Sequence, residues 1–251
     1  MKHILTVHYM SLDWIPIQNH YIQKFISDSC THSYIDKVKH EPWPFEFDFA
    51  FRGESGIDTG WSSGEHSLKL NSLVEKLENR PDSDILIFLD GDSFPIAPMD
   101  DFIEHSLQNY DFVSIVREEL GDTFPHPSFA CCKLGTWKKY NFTWSPYPKN
   151  SRRRNWHGAK YNDVGVKLER ILKESNLKWN KLKRTNSASF HPIFFGLYGD
   201  LIYHHTAGFR GSFRTRWDDV NQKFSKQEIK NESHKIFDNI KTNNEYFDIY
   251  R

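Results

Sequence analysis

Cysteine is scarce in this sequence: Cys30, Cys131 and Cys132 are the only three among 251 residues. An odd count with one vicinal pair excludes a disulfide framework and points to reduced thiols in a cytoplasmic setting. There is no Cys-x-x-Cys or His-Glu-x-x-His run, so the sequence supports neither a zinc site nor thiol catalysis. No apolar run reaches about 18 residues, so no spanning helix is expected, and membrane contact would be peripheral at most. The opening Met1-Lys-His-Ile-Leu-Thr-Val-His-Tyr-Met10 is too short and too polar for a secretory leader. The sequons at Asn141 and Asn231 are accordingly read as chance matches. An excess of one charge is missing too. Lys+Arg and Asp+Glu are 33 each and the formal net charge is zero, which gives no whole-surface attraction to nucleic acid or anionic lipid. Repeats and low-complexity linkers are also absent, which leaves a single domain long enough to bury a sizeable core.

What the sequence has in plenty is aromatic side chains: 20 Phe, 11 Tyr and 8 Trp, 16% of the chain. Flat rings suit carbohydrate and nucleobase sites, and they suit a core equally well. The periodicity reads as alternating strands and helices. His3–Tyr9 is a short apolar strand, followed by a helix capped by Asp13 with Pro16 in its first turn and Tyr21, Ile22, Phe25 and Ile26 on its apolar face. Phe45–Phe51 alternates as a strand does, and Arg52–Gly64 reads as a loop. Ser62 and Glu65 then form a capping box for a helix reaching about Asn79. Asp84–Leu89 is a buried strand, Asp100 opens a helix, and Asp111–Val116 and Phe129–Leu134 are further strands. Residues 140–162 read as a loop containing Arg152, Arg153 and Arg154, a solvated charge run or a cover for a ligand. Asp163 caps a helix with Val164, Leu168, Ile171 and Leu172 inward. Ile193–Tyr198 and Leu201–His205 are strands joined by a Gly-Asp turn, and a helix follows from Ser225 to about Lys241 with Ile229, Ile236 and Ile240 on one face. The fold class is α/β, with a mainly parallel sheet flanked by helices.

The sharpest feature is Asp84-Ile-Leu-Ile-Phe-Leu-Asp-Gly-Asp92. A buried strand runs into two carboxylates two residues apart, at the strand end where open α/β sheets bind ligands. Gly91 keeps a side chain out of the way. Hard divalent cations take carboxylate oxygens and share them with substrate phosphates. A turn in which Asp92 caps the next element is the competing reading, weakened by the uninterrupted apolar strand before it.

Here the sequence resembles the GT-A glycosyltransferases, in which an Asp-x-Asp motif follows such a strand and binds Mn2+ or Mg2+ with the donor diphosphate. The resemblance runs in element order from residue 3 to residue 217 and is closest to bacterial or viral enzymes of surface-polysaccharide synthesis. It implies one catalytic domain over residues 1–251, with a nucleotide-sugar half (1–110), an acceptor half (111–217) and a C-terminal helical tail (218–251). It implies a UDP-sugar or GDP-sugar donor, a glycan or other hydroxyl acceptor, and a metal held by Asp90, Asp92 and a late histidine. Of the pair, Asp92 is the direct ligand, with Asp90 on the metal or the ribose.

His204 and His205 end an apolar strand and point to opposite sides of it, so one of them faces the metal. The spacing of His205 and Gly208 is similar to a His-x-x-Gly motif of glycogenin-like retaining transferases and favours His205, although arginines replace their downstream lysine. Arg210, Arg214 and Arg216 have guanidinium forks that suit phosphate, with Arg210 beside the glycine loop the best placed. By the same resemblance Thr6, His8 and Tyr9 approach base and ribose, and His66, Lys69 and Asn71 reach ribose or phosphates. Asp122, Asp163 and His126 are acceptor-side groups, the first two as catalytic carboxylates. An inverting reaction needs such a base for the acceptor hydroxyl. The segment Phe124-Pro-His-Pro-Ser-Phe-Ala-Cys-Cys132 resembles the acceptor-facing strand. A sugar nucleotidyltransferase and an aromatic carbohydrate-binding module are the alternatives. His8-Tyr-Met-Ser-Leu-Asp13 counts against the former, since it is not the Gly-rich basic loop such enzymes carry, and the expected helices count against the latter.

Overall fold

Leu86, Ile87, Phe88 and Leu89 are wholly buried, and the strand they form stands at the middle of the protein. A computed structural model describes residues 1–9, 12–36, 49–53, 62–147, 162–185, 196–205, 226–243 and 245–247. In chain order the first half comprises β1 (Lys2–Tyr9), α1 (Ile15–Phe25), β2 (Ser29–Asp36), β3 (Phe49–Gly53), α2 (Ser62–Glu75) and β4 (Ile85–Asp90). Then follow β5 (Ser93–Pro95), α3 (Asp100–Asn109), β6 (Phe112–Ile115), β7 (His126–Lys133), α4 (Leu134–Lys139), α5 (Val166–Glu174) and β8 (Trp179–Leu182). The hairpin strands β9 (Gly196–Tyr198) and β10 (Ile202–His204) and the helix α6 (Lys226–Thr242) end the series.

Seven strands form one sheet in the order β3-β2-β1-β4-β7-β6-β8. β1 runs parallel to β2 and β4, β2 to β3, and β6 to β8, while β7 is antiparallel to both of its neighbours. This is the expected α/β class, a mainly parallel sheet with helices on both faces. On one face α2 and α5 bring Leu70, Leu73, Val74, Leu77, Leu168 and Leu172 against Leu5, Leu86, Phe88 and Cys132. On the other, Ile22, Ile26, Ile103 and Leu107 cover Ile4, Ile87, Leu89 and Cys131. The vicinal cysteines thus serve opposite faces, and none of the three cysteines is in a disulfide.

A second, three-stranded antiparallel sheet in the order β5-β10-β9 stands beside the first. Its hairpin turns at Gly199 and Asp200, both at positive φ (60° and 56°), as the Gly-Asp pair predicts. Trp14, Tyr21, Phe94, Tyr203, Phe237 and Phe247 pack together between this sheet, α1 and the C-terminal segment, with Tyr21 stacked on Phe94 at 4.7 Å. Much of the aromatic load is therefore core. No helix among the described residues is long and apolar enough to cross a membrane.

Several local expectations change. β2 is missing from the periodicity because Ser29, Thr31, His32, Ser33 and Asp36 break it, yet Thr31–Asp36 is buried as a strand between β1 and β3. The short β5, β8 and α4 carry too few residues for a period to show. Of the expected Phe45–Phe51 strand, residues 49–51 fall in β3 and 45–48 lie outside the described residues; the expected loop ends earlier than Gly64, because α2 opens at Ser62. The helix caps also move. Trp14, not Asp13, is at the N-cap of α1, and Gly165, at φ 94°, rather than Asp163, at that of α5; neither makes a side-chain cap bond.

One buried amide joins these parts. Gln18 of α1 is wholly buried; its Nε2 donates to Asp90 O at 2.8 Å and Ser93 O at 2.6 Å. Its Oε1 accepts from the Thr6 hydroxyl at 3.1 Å. Gln18→Leu keeps the volume and strands these groups, each costing about 1–3 kcal/mol when buried without a partner. Denaturant unfolding should show a loss of about 2–4 kcal/mol, against little change for an exposed position of the same helix such as Lys24→Gln.

Candidate functional site

The chain runs from β1 outward to β2 and β3, then returns across β1 to β4. β1 and β4 therefore flank a topological switch point, and their carboxyl ends open the crevice in which open α/β sheets hold ligands. Asp90, the last residue of β4, sits opposite Val7 at that edge. Gly91 and Asp92 turn the chain into β5. A Cβ on Gly91 would come within 2.7 Å of Val7 O and 2.9 Å of His8 Nδ1. Close approach of the turn to β1 requires the glycine here.

Register delivers the rest. β10 pairs antiparallel with β5, setting His204 opposite Ser93, and the His205 N–H donates to Asp92 O at 3.0 Å. His204 Nε2 consequently lies 3.5 Å from Asp92 Oδ1 and 3.7 Å from Asp90 Oδ2. Ligand atoms of Asp90, Asp92 and His204 all fall within 4.8 Å of one another, a group that could hold a metal ion. The choice between the two histidines is thus reversed. His205 is wholly buried on the other side, with Nδ1 at 2.7 Å from the Tyr203 hydroxyl and Nε2 at 3.1 Å from Ser233 Oγ of α6. Gly208, Arg210, Arg214 and Arg216, and Arg152 to Arg154, lie outside the described residues.

Two more imidazoles reach Asp90. His66, one turn into α2, places Nε2 3.3 Å from Asp90 Oδ1. His126 opens β7, and because β7 runs antiparallel to β4 its first residue arrives at the edge where β4 ends. His126 Nδ1 is 3.8 Å from Asp90 Oδ2 and accepts from the Ser128 N–H at 3.2 Å, with Ser128 Oγ at 2.8 Å. That bond puts the ring proton on Nε2. Burial, then the Arg117 guanidinium, hold His126 well below the usual histidine range, so the ring is neutral. His8 is likewise neutral, lowered by burial to about 4 against the opposing pull of Asp92.

Burial, with Asp92 adding to it, raises the Asp90 carboxyl above its ordinary value, while His66, His204 and Arg117 pull it down. Among the described residues, buried Asp90 Oδ1 accepts no hydrogen bond, its 3.3 Å contact with His66 Nε2 being poorly directed for one. Two carboxylates and an imidazole around an under-bonded oxygen are a donor set that fits Mn2+, Mg2+ or a similar divalent cation.

Other expected site residues are placed differently. Thr6 is wholly buried and spends its hydroxyl on Gln18, so it does not reach a base. Asn71 ties down the loop after α4: its Nδ2 donates to Thr143 Oγ1 and Ser145 Oγ at 3.0 Å each, and its Oδ1 accepts from Trp144 N at 3.0 Å. That use replaces the donor contact expected of it. Lys69 is buried in an ion pair with Asp36 at the end of β2 and lies 5.1 Å from the centre of the Tyr9 ring, which is 40% exposed. Asp122 is buried under Arg117, whose Nε and Nη2 reach its Oδ2 at 2.8 and 2.7 Å. This ion pair removes Asp122 from the role of free carboxylate base. Asp163 keeps a side chain 30% exposed, with Oδ2 3.9 Å from Arg117 Nη2 and Oδ1 accepting from Val164 N at 2.8 Å. Arg117 and Asp36 are missing from the sequence reading. The only signal of Arg117 is its place just beyond a strand end, and Asp36 ends a strand whose polar content hid it.

No family model matches the chain, and no curated protein matches it. Among solved structures it is similar to TarS of S. aureus, at 10% identity and TM-score 0.42, covering 57% of this chain and 30% of that one. It is similar to the glycosyltransferase GlyE of Streptococcus pneumoniae TIGR4, at 10% identity and TM-score 0.49, covering 93% and 63%. It is also similar to a putative glucose-1-phosphate thymidylyltransferase from Bacillus anthracis, at 6% identity and TM-score 0.44, covering 72% and 87%. The chain thus spans under two thirds of TarS and of GlyE, and activity has to be argued from its own side chains.

The Asp90 environment sets a pH-dependent trade-off. A carboxyl whose folded-state pKa is raised loses stability as pH rises from the ordinary carboxylate value to the raised one, and above both the full cost is present. Asp90→Asn removes the charge, so the metal-free variant should melt above wild type at pH 7. The gain should fade as pH is lowered toward 4 and the wild-type carboxyl takes up its proton. Thermal unfolding in chelator at the two pH values measures the difference.

Proposed function

We propose that this chain is a metal-dependent glycosyltransferase of the GT-A type, moving a sugar from a nucleotide-sugar donor to a glycan or other hydroxyl acceptor. The observation that carries the reading is the meeting of Asp90, Asp92 and His204 at the carboxyl edge of a mainly parallel sheet, beside its switch point. Asp90, Asp92 and His204 would hold Mn2+ or Mg2+, and the bound ion would offset charge gathering on the departing nucleoside diphosphate. A UDP-sugar or GDP-sugar is the proposed donor.

The chain's own groups supply binding and orientation. The exposed Tyr9 ring, held beside the buried Lys69–Asp36 pair, offers a face for the nucleobase. Neutral His126 presents Nε2–H as a donor for a ligand oxygen, its other nitrogen being taken by Ser128. On the acceptor side Arg117, anchored on Asp122, stands beside Asp163. Asp163 is the carboxylate proposed to orient the acceptor hydroxyl and, in an inverting reaction, to take its proton. The organisation proposed is one catalytic domain: a donor half (1–110), an acceptor half (111–217) and a tail (218–251), part of which supports the site through the Ser233–His205 contact. Three free thiols fit a reducing, cytoplasmic setting.

Titration calorimetry with UDP and Mn2+ tests the reading. Wild type should bind UDP only with metal present. Because loss of a mere supporting contact costs about 10–100-fold in metal affinity, removal of a ligand in Asp92→Ala should cost more. Failure of UDP, GDP and dTDP alike to bind with metal would overturn the transferase reading. Pyrophosphate release from a nucleoside triphosphate and a sugar phosphate would replace it with nucleotidyl transfer.

A further inference from the structure

At the opposite end of the sheet from Asp90, β1 and β2 place His3 directly across from Cys30. Side chains alternate along a strand and keep their side across a parallel pair. Cys30 and His32, two residues apart, therefore share the face of His3. Ligand atoms of the three lie within 4.8 Å of one another. His3 is four residues from Val7, which faces Asp90, a separation of about 13 Å along the strand. The cluster is distinct from the Asp90 site.

We propose that His3, Cys30 and His32 form a second metal site, selective for a soft or borderline ion of the zinc type. Three features beyond proximity support it. First, the donors are two imidazoles and a thiol, the set that zinc prefers and that Mg2+ and Mn2+ do not. Second, His3 Nε2 lies 2.9 Å from Asp84 Oδ2. A carboxylate on the far nitrogen of a histidine fixes its tautomer and aims the other nitrogen's lone pair at a metal. Here that other nitrogen is Nδ1, and it points into the cluster.

Third, the geometry is close to a coordination sphere already. His3 Nδ1 and His32 Nε2 are 3.0 Å apart. Two nitrogens bound tetrahedrally at about 2.1 Å from zinc stand about 3.4 Å apart, so a few tenths of an ångström of ring movement suffices. Zinc binding exchanges the His–His hydrogen bond for two N–Zn bonds, the His32 proton moving through solvent from Nε2 to Nδ1 as Nε2 takes the metal. The Cys30 thiol gives up its proton to solvent as the S–Zn bond forms, one proton released per ion. Cys30 is partly exposed, which leaves the fourth position to water. The ion would clip the start of β1 to the start of β2.

The test uses the full chain carrying Asp92→Ala, so that the carboxylate site does not compete. Zn2+ should bind at one equivalent. Co2+ should produce the intense near-ultraviolet thiolate-to-metal absorption, assignable to Cys30 because Cys131 and Cys132 are wholly buried. Cys30→Ser should abolish that absorption and weaken Zn2+ binding at least 100-fold, and Asp84→Asn should weaken it about 10–100-fold. Absence of zinc binding and of the cobalt absorption in the Asp92→Ala background overturns the site. So does binding that is indifferent to both Cys30→Ser and His32→Ala. The cobalt absorption needs no variant within the cluster, so misfolding of one of those variants leaves the test decisive.

Discussion

The Gln18 amide is the constraint on which the candidate site depends. It reaches three strands at once, taking the Thr6 hydroxyl of β1 and donating to Asp90 O of β4 and Ser93 O of β5. In a buried setting each of those groups needs a partner, and one rigid amide supplying all three fixes the turn between β4 and β5. The two acidic side chains lie within that turn. Because β5 is also the partner of β10, the same bonds set the register that brings His204 to Asp92. Gly91 completes the device, since a side chain there would push the turn off the end of β1.

Around this turn charge is arranged to tolerate a buried carboxylate. Asp90 is 9% exposed and shares its neighbourhood with Asp92, so burial and like charge both disfavour its ionised form. His66, His204 and Arg117 work the other way. The rings are weak compensation while neutral, and His126 is neutral. An added cation would do what the side chains leave undone, the part that a guanidinium set directly on the carboxylate plays for the equally buried Asp122.

The features legible in the sequence are those with a long run behind them. The apolar strand before Asp90 places the acids at a sheet end, and apolar periods mark α2 and α5, although α2 ends at Glu75 rather than near Asn79. β2 was hidden because it carries His32, Ser33 and Asp36 on buried positions, with His3 across the sheet partnering His32 and Lys69 of α2 partnering Asp36. The same strand held Asp36 and two of the three residues of the His3–Cys30–His32 cluster. A search for local motifs such as Cys-x-x-Cys could not find that cluster, because register rather than spacing assembles it. His204 and His205 show the limit more sharply. Alternation establishes that one faces inward and one outward, but the answer lies in β5 and α6, which are far away in sequence and supply Ser93 and Ser233.

The two ends of the sheet then differ in chemistry for a reason the strands themselves provide. At the carboxyl end, β4 finishes in carboxylates, giving an oxygen-rich set suited to hard ions and phosphate. At the amino end, β1 and β2 start with imidazole and thiol, giving a soft set. Between them lie Leu5, Leu86, Ile87 and Phe88, all wholly buried. First-row affinities rise toward zinc at nearly any nitrogen or oxygen site, which means an Asp-Asp-His group cannot reject zinc by affinity alone. A thiolate site elsewhere in the chain offers zinc a stronger set of donors than that group does. Under the proposed function the oxygen-rich group would take ions that share their coordination with a diphosphate, so that its selectivity would rest on hardness and on the ligand brought by substrate.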